Sequence, residues 1–196
     1  MTRRLVLASA SPARLGLLRA AGLAPDVIVS GVDEDGVRGA DTADTVAELA
    51  RRKAAAVAER CTDALVIGCD SLLDVDGRGC GKPATPADAL TQWRTIRGRW
   101  ATLLTGHCLI DTGSGGRAVG VAATTIRFGT PSDEEIEAYV ATGEPLAVAG
   151  GFTIEGRGAP FVDGIDGDAS NVIGLSLPLL RRLLAELGVL ITDLWA

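Results

Sequence analysis

Aromatic side chains are scarce: three Trp, three Phe and one Tyr make up 4% of 196 residues. There is a single His, and two Lys stand against seventeen Arg. Each scarcity excludes something. His107 has no recognisable nucleophile motif beside it, which speaks against a Ser-His or Cys-His mechanism and for a packed histidine. The four cysteines, Cys61, Cys69, Cys80 and Cys108, lack C-x-x-C spacing and read as free thiols, with no zinc-ligand pattern to join His107. No basic block exceeds the three residues of Arg51-Arg52-Lys53 and the net charge is −6, so a nucleic-acid polymer is not the expected partner. Local positive charge still suffices for one phosphate group. No apolar run approaches the ~20 residues of a membrane span. The opening MTRRLVLASASPARLGLL is interrupted by Pro12 and Arg14 and followed at once by Arg19, so it does not read as a signal peptide, and a mature cytoplasmic chain is expected.

What is present is the composition of an ordinary globular protein, 47% hydrophobic and 22% charged. The length suits one domain over residues 1–196, or two small lobes sharing a core, with no linker long enough to mark independent domains. Leu5–Ala8 is a short apolar strand, followed by Ser11 as a cap and Pro12 at the first position of a helix that Gly22 ends. A second strand is expected over Val27–Val32, then a helix capped by Asp44 or Thr45 and running to about Arg60, then a strand over Ala64–Cys69. Asp76-Gly77 is a turn, and Thr85-Pro86 opens a helix through about Ile96. Trp100–Asp111 and Arg117–Phe128 read as a hairpin. Thr130-Pro131 caps a helix to about Ala141, Phe152–Ile154 and Pro160–Val162 are short strands, and Leu177–Leu187 is a final amphipathic helix. Without strict βαβ alternation, the pattern predicts a mixed sheet in an α/β fold.

Several positions carry chemistry. The small side chains of Ala8-Ser9-Ala10-Ser11 before Pro12 outline an anion cradle at a helix N-terminus, or an ordinary capped loop. Arg14 falls in the first helical turn, where a cation opposes the dipole unless an anion is shared. Val46, Leu49, Ala50 and Val57 define an apolar stripe with Lys53 in its middle, so Lys53 either snorkels or directs its ammonium inward to a partner. Asp70 ends an apolar strand, where ligands of open α/β sheets bind, or simply starts a turn. Lys82 cannot belong to a P-loop, because Pro83 stands where Ser or Thr would touch magnesium. In a chain so biased to Arg, its two lysines read as positions that need a compact point charge. Glu34, in an acidic turn, can join Asp70 in holding a divalent cation or can be solvated.

The ordered stretches LASASPAR, GVDED, AELARRKA, VIGCDSLL, GKP, LLTGH, FGTPSDEEIEAYVATGEP, AGGFTIEG and NVIGLSLPLL resemble the Maf family of nucleoside triphosphate pyrophosphatases over nearly the whole chain. The resemblance implies a mixed-sheet α/β fold akin to inosine triphosphate pyrophosphatases, with two lobes flanking a deep cleft. It implies hydrolysis of a nucleoside triphosphate to monophosphate and pyrophosphate with a divalent cation, Mg, Mn or Co. It also implies a homodimer and a link to cell-division arrest. By resemblance Asp70 is the proton acceptor, Ser9, Arg14, Glu34, Lys53 and Lys82 bind substrate, and Glu34 and Asp70 face the metal. Where the family reads S-P-R-R this chain has Ser11-Pro12-Ala13-Arg14. Ala13, Ser71 and Glu155 stand at the positions that choose the base; they match neither the dTTP/UTP set (Arg, Thr, Gln) nor the 7-methyl-GTP set (Trp, Gln, Glu) of the family, although Glu155 resembles the latter. The alternative is a regulator of division that binds a nucleotide without turning it over.

Overall fold

The computed structural model describes residues 3–196, so the first two residues of the opening run lie outside the described residues. Strands β1 (Arg4–Leu7), β2 (Asp26–Val27), β3 (Ala64–Val75), β4 (Arg78–Cys80), β5 (Trp100–Asp111), β6 (Arg117–Phe128) and β7 (Val162–Asp166) form one mixed sheet. Its order is β2-β1-β3-β5-β6-β7, with β4 paired to β3. Helices α1 (Pro12–Ala20), α2 (Thr42–Ala58), α3 (Pro86–Ile96), α4 (Asp133–Ala141), α5 (Ala169–Ile173) and α6 (Leu177–Glu186) complete it with short 3-10 turns. The chain divides into two compact units.

The first unit takes the chain through Asp70, then Thr105–Ala122 and Gly174–Ala196. Here β1 runs parallel to both β2 and the first half of β3, with Leu7 opposite Ile67. Alternate residues feed two cores. Leu5, Leu7, Leu65 and Ile67 join Leu18 of α1 and Leu180, Leu183 and Leu184 of α6, whereas Val6, Ala8, Ala64 and Val66 join Val57 of α2. A strand buried on both faces must be apolar throughout, which is why these runs are continuous rather than alternating.

The second unit holds Ser71–Leu104 and Ala123–Ile173. It spends most of the chain's few aromatic rings in one place. Trp93 of α3 meets Phe128, Tyr139 and Phe161 edge-on at 5.6–5.8 Å, and Phe128 meets Phe152 at 4.9 Å. The indole N–H of Trp93 donates to the Gly151 carbonyl at 2.8 Å, so the one polar atom of the buried ring is satisfied. The β3–β4 turn has positive φ at Asp76 and Gly77, the geometry of a tight two-residue hairpin.

Several expected boundaries differ. Asp41, whose side chain accepts from Asp44 N, caps α2, so this helix starts before Asp44 and Thr45. Ser132 caps α4 in a reciprocal capping box with Glu135, in place of Thr130. The second strand is Asp26–Val27 and keeps only Val27 of the expected Val27–Val32, because β1 ends at Leu7 and offers no further partner. Neither Phe152–Ile154 nor Pro160–Val162 is a strand as expected: 159–161 is a 3-10 turn, and β7 begins at Val162. The hairpin, α3 and α1 lie where the sequence places them.

Candidate active site

Asp70 does not end its strand. β3 continues to Val75, because after the pairing with β1 stops at Ile67 the strand acquires β4 as an antiparallel partner from Leu73. Asp70 therefore sits in the gap, beyond the C-terminal end of its parallel neighbour but inside a long strand, and only 7% of it is exposed. The expectation that Asp70 ends its strand therefore fails.

Facing it is Lys53. The apolar stripe of α2 is buried as its spacing requires, and Lys53 is buried with it at 7% exposure, so its ammonium is directed into the protein. Nζ lies 2.5 Å from Asp70 Oδ1 and 2.7 Å from Glu34 Oε1. Glu34, on the segment after β2, is more than half exposed and reaches in to complete the pair. A buried ammonium is costly without compensation, and two carboxylates supply it.

Two glycines make this approach possible. A Cβ on Gly68 of β3 would collide with the Ala50 carbonyl and lie 2.6 Å from Ala54 N; a Cβ on Gly106 of β5 would collide with the Val46 carbonyl and lie 2.7 Å from Ala47 N. The backbone of α2 thus rests directly on the sheet, bringing Lys53 down to Asp70. Isolated glycines inside strand patterns are the signal of such close approach, and they identify this pair in VIGCD and LLTGH.

The loop before α1 supplies the other half. Ser11 caps the helix, its side chain accepting from Arg14 N. The Ser9 hydroxyl accepts from Ser11 N at 3.2 Å and from Arg14 Nη1 at 3.2 Å, and a hydroxyl that accepts twice still has a hydrogen to give. Arg14 Nε donates to the Gly174 carbonyl at 2.7 Å.

These groups share one electrostatic environment. Burial pushes the Asp70 carboxyl up from its ordinary range; Lys53 and Arg14 pull it back, and Glu34 pushes it further. The neighbouring Cys69 is pushed by burial up to about 12, so its thiol stays protonated and is no nucleophile at neutral pH. Among the described residues no cluster of three or more His, Cys, Asp or Glu could hold a metal ion. The oxygen donors brought together are Asp70 and Glu34, a pair of hard ligands that fits a cation which takes its remaining ligands from phosphates and water.

The structure thus brings together Ser9 with Arg14, and Lys53 with Glu34 and Asp70, all in the first unit. Ala13 is half-buried on α1. Lys82, Ser71 and Glu155 belong to the second unit. Lys82 is exposed after β4, Ser71 is half-buried on β3, and exposed Glu155 accepts from Ile154 N. The loop carrying Glu155 is wrapped around a residue that sequence reasoning passed over. The Glu144 carboxylate accepts from Thr153 Oγ1, Tyr139 Oη and the amides of Arg157 and Gly158. No signal in the sequence pairs those positions.

A mixed α/β sheet with a carboxylate, a lysine and an arginine gathered beside a helix N-terminus is a fold and site suited to a phosphorylated ligand. The chain belongs to the Maf-like protein family, whose match spans residues 4–187. It is 62% identical to the nucleoside triphosphate pyrophosphatase of Streptomyces coelicolor, over 99% of this chain and 95% of that protein. Identity to the protein of the same name from Salinispora tropica is 59%, over 98% and 88%, and to one from a Mycobacterium species 53%, over 100% and 99%. A solved structure of a HAM1 protein from Coxiella burnetii matches 64% of this chain and 73% of its own, at 18% identity and a TM-score of 0.42.

Proposed function

We propose that this protein hydrolyses nucleoside triphosphates to the monophosphate and pyrophosphate, with Asp70 as the general base. The observation that carries the reading is one buried ammonium, Lys53, holding both Asp70 and Glu34 in a member of the Maf-like family. A carboxylate raised toward neutrality by burial is better matched to taking a proton from water than an ordinary aspartate.

In the proposed reaction Asp70 orients a water and accepts its proton while the water oxygen forms a bond to the α-phosphorus. The bond from that phosphorus to the α,β-bridging oxygen breaks, and its electron pair leaves with pyrophosphate. Ser9, Arg14 and the α1 N-terminus bind phosphate oxygens, and Lys53, Arg14 and Lys82 stabilise charge on the transferred and leaving groups. Glu34 and Asp70 are the residues that would hold a divalent cation, Mg, Mn or Co, which supplies charge neutralisation and polarises the phosphoryl oxygens. Ala13, Ser71 and Glu155 are assigned to the base, where an acceptor-only carboxylate favours a donor-rich edge such as that of guanine or a methylated base. A cytoplasmic location, a homodimer and a part in division arrest belong to the same proposal, on family likeness.

The test is a panel of nucleoside triphosphates incubated with the pure protein and Mg²⁺, Mn²⁺ or Co²⁺. Pyrophosphate and monophosphate are the expected products. Orthophosphate with diphosphate would move the attack off the α-phosphorus and overturn the reading.

A further inference from the structure

Arg14 is held from behind. Its Nε donates to the Gly174 carbonyl at 2.7 Å, which turns Nη1 onto Ser9. Gly174 has φ +118°, a conformation side chains rarely adopt, and a Cβ there would lie 3.3 Å from Arg14 Nε and 3.6 Å from its Cγ. The carbonyl can approach the guanidinium only because this residue is glycine.

Two residues on, the Ser176 amide donates to His107 Nε2 at 2.9 Å, and His107 Nδ1 lies 3.0 Å from the Thr105 carbonyl. Both contacts are internally consistent with one tautomer. Nε2 accepts, so the proton resides on Nδ1 and is donated to Thr105 O; the ring is neutral and fully buried. Ser176 also caps α6, its hydroxyl accepting from Leu179 N at 3.1 Å. The imidazole therefore pins the segment Gly174–Ser176 at one end while α6 pins the other.

We infer that His107 is a positioning residue for Arg14: by accepting from Ser176 it fixes the backbone whose Gly174 carbonyl aims the guanidinium at Ser9 and at a bound phosphate. This rests on the reading that Arg14 binds phosphate. It gives the chain's single histidine a role that needs no proton transfer to substrate.

The experiment compares His107→Gln with His107→Asn. A Gln amide reaches as far as Nε2 and can offer its oxygen to Ser176; an Asn amide reaches only as far as Nδ1. Steady-state kinetics are measured on the best triphosphate of the panel, and binding of inorganic tripolyphosphate is measured by calorimetry, with thermal melts of each variant. His107→Asn is expected to raise KM and to weaken tripolyphosphate on the order of tenfold with kcat changed far less, and His107→Gln to recover most of the loss. Gly174→Ala, which leaves the histidine untouched, is expected to raise KM in the same way. If Asn and Gln behave alike, or if both lower only the melting temperature while KM and tripolyphosphate affinity hold in all three variants, the inference is wrong. A wild-type protein that binds tripolyphosphate but releases no pyrophosphate would sink the proposed reaction and leave this inference to be judged on binding. One that binds no tripolyphosphate would overturn the phosphate role of Arg14 and the inference with it.

Discussion

Gly68 lies so close beneath Ala54 that a Cβ on it would come within 2.6 Å of the Ala54 amide nitrogen. The contact sets the height of α2 above β3, and with it the 2.5 Å between Lys53 and Asp70. Site geometry here depends on an absent methyl group as much as on the charged residues.

Gly68→Ala should therefore act twice. The added methyl meets backbone of α2, which cannot rotate away, so overpacking should cost about 1–3 kcal/mol or more. The displaced helix should also lengthen the Lys53–Asp70 contact. Denaturant melts are expected to show the stability loss and kinetics a fall in kcat. Equal stability with full activity would show that α2 does not rest on this residue.

Lys53→Met preserves stem length and burial while removing the ammonium. Leaving Asp70 buried without its partner should cost on the order of 3–5 kcal/mol if the carboxylate stays ionised, and less if it takes up a proton instead. The expected compromise is a folded, inactive protein in which Asp70 titrates higher than in the wild type. NMR titration of the carboxyl carbons would check it. Lys53→Arg is also expected to be poor, because a planar fork cannot place one compact charge between two carboxylates.

Much of this was legible beforehand, and the reasons are physical. Lys53 stood out because a helical stripe has a period, and a lysine at its centre either snorkels or points inward. Ser11 and Pro12 announced α1 because caps are local chemistry, satisfied within three residues. The end of β3 was misjudged because a strand's length depends on its partners: β1 stops at Leu7, and β4 takes over only after a turn. Glu144 was passed over for the same reason, and His107, expected to be packed and found fully buried, could not be matched to its partner Ser176. The Glu144 partners lie 5 to 14 residues away and Ser176 lies 69 from His107, and nothing in local spacing joins them.

The pH dependence of Asp70 follows from its environment. Burial raises its carboxyl in the folded state, against the pull of Lys53 and Arg14. A raised carboxyl is most compatible with folding below its unfolded titration range, and that contribution is lost as pH rises through the folded one. Activity runs the other way, since a base must be unprotonated. The expected profile of kcat/KM has an acid limb above the ordinary carboxylate range, and Asp70→Asn should remove most turnover while nucleotide binding remains measurable. Full activity in that variant would end the general-base assignment. An acid limb at the ordinary aspartate value would show that the pull of Lys53 and Arg14 cancels the effect of burial in the free enzyme.

Asp111 is the opposite case and governs acid stability. Burial alone would raise it, but bonds from Arg3, the Ser114 hydroxyl and the amides of Gly113 and Ser114 outweigh that and hold it at about 2. A lowered carboxyl contributes stability above its unfolded range near pH ~4 and loses it as pH falls toward the folded value. The acceptor set closes the turn between β5 and β6, and Arg3 ties it to the start of β1. Because the Arg3 side chain is 37% exposed, water screens its share, and Arg3→Ala should cost no more than about 1 kcal/mol at neutral pH. Asp111→Asn removes the ionised acceptor from every donor at once and should cost about 2 kcal/mol at pH 7, with the gap to wild type closing as both are taken toward pH 2. Urea melts at a series of pH values measure it. A stability gap that does not narrow in acid would mean that the turn is held by its backbone geometry and not by the charge.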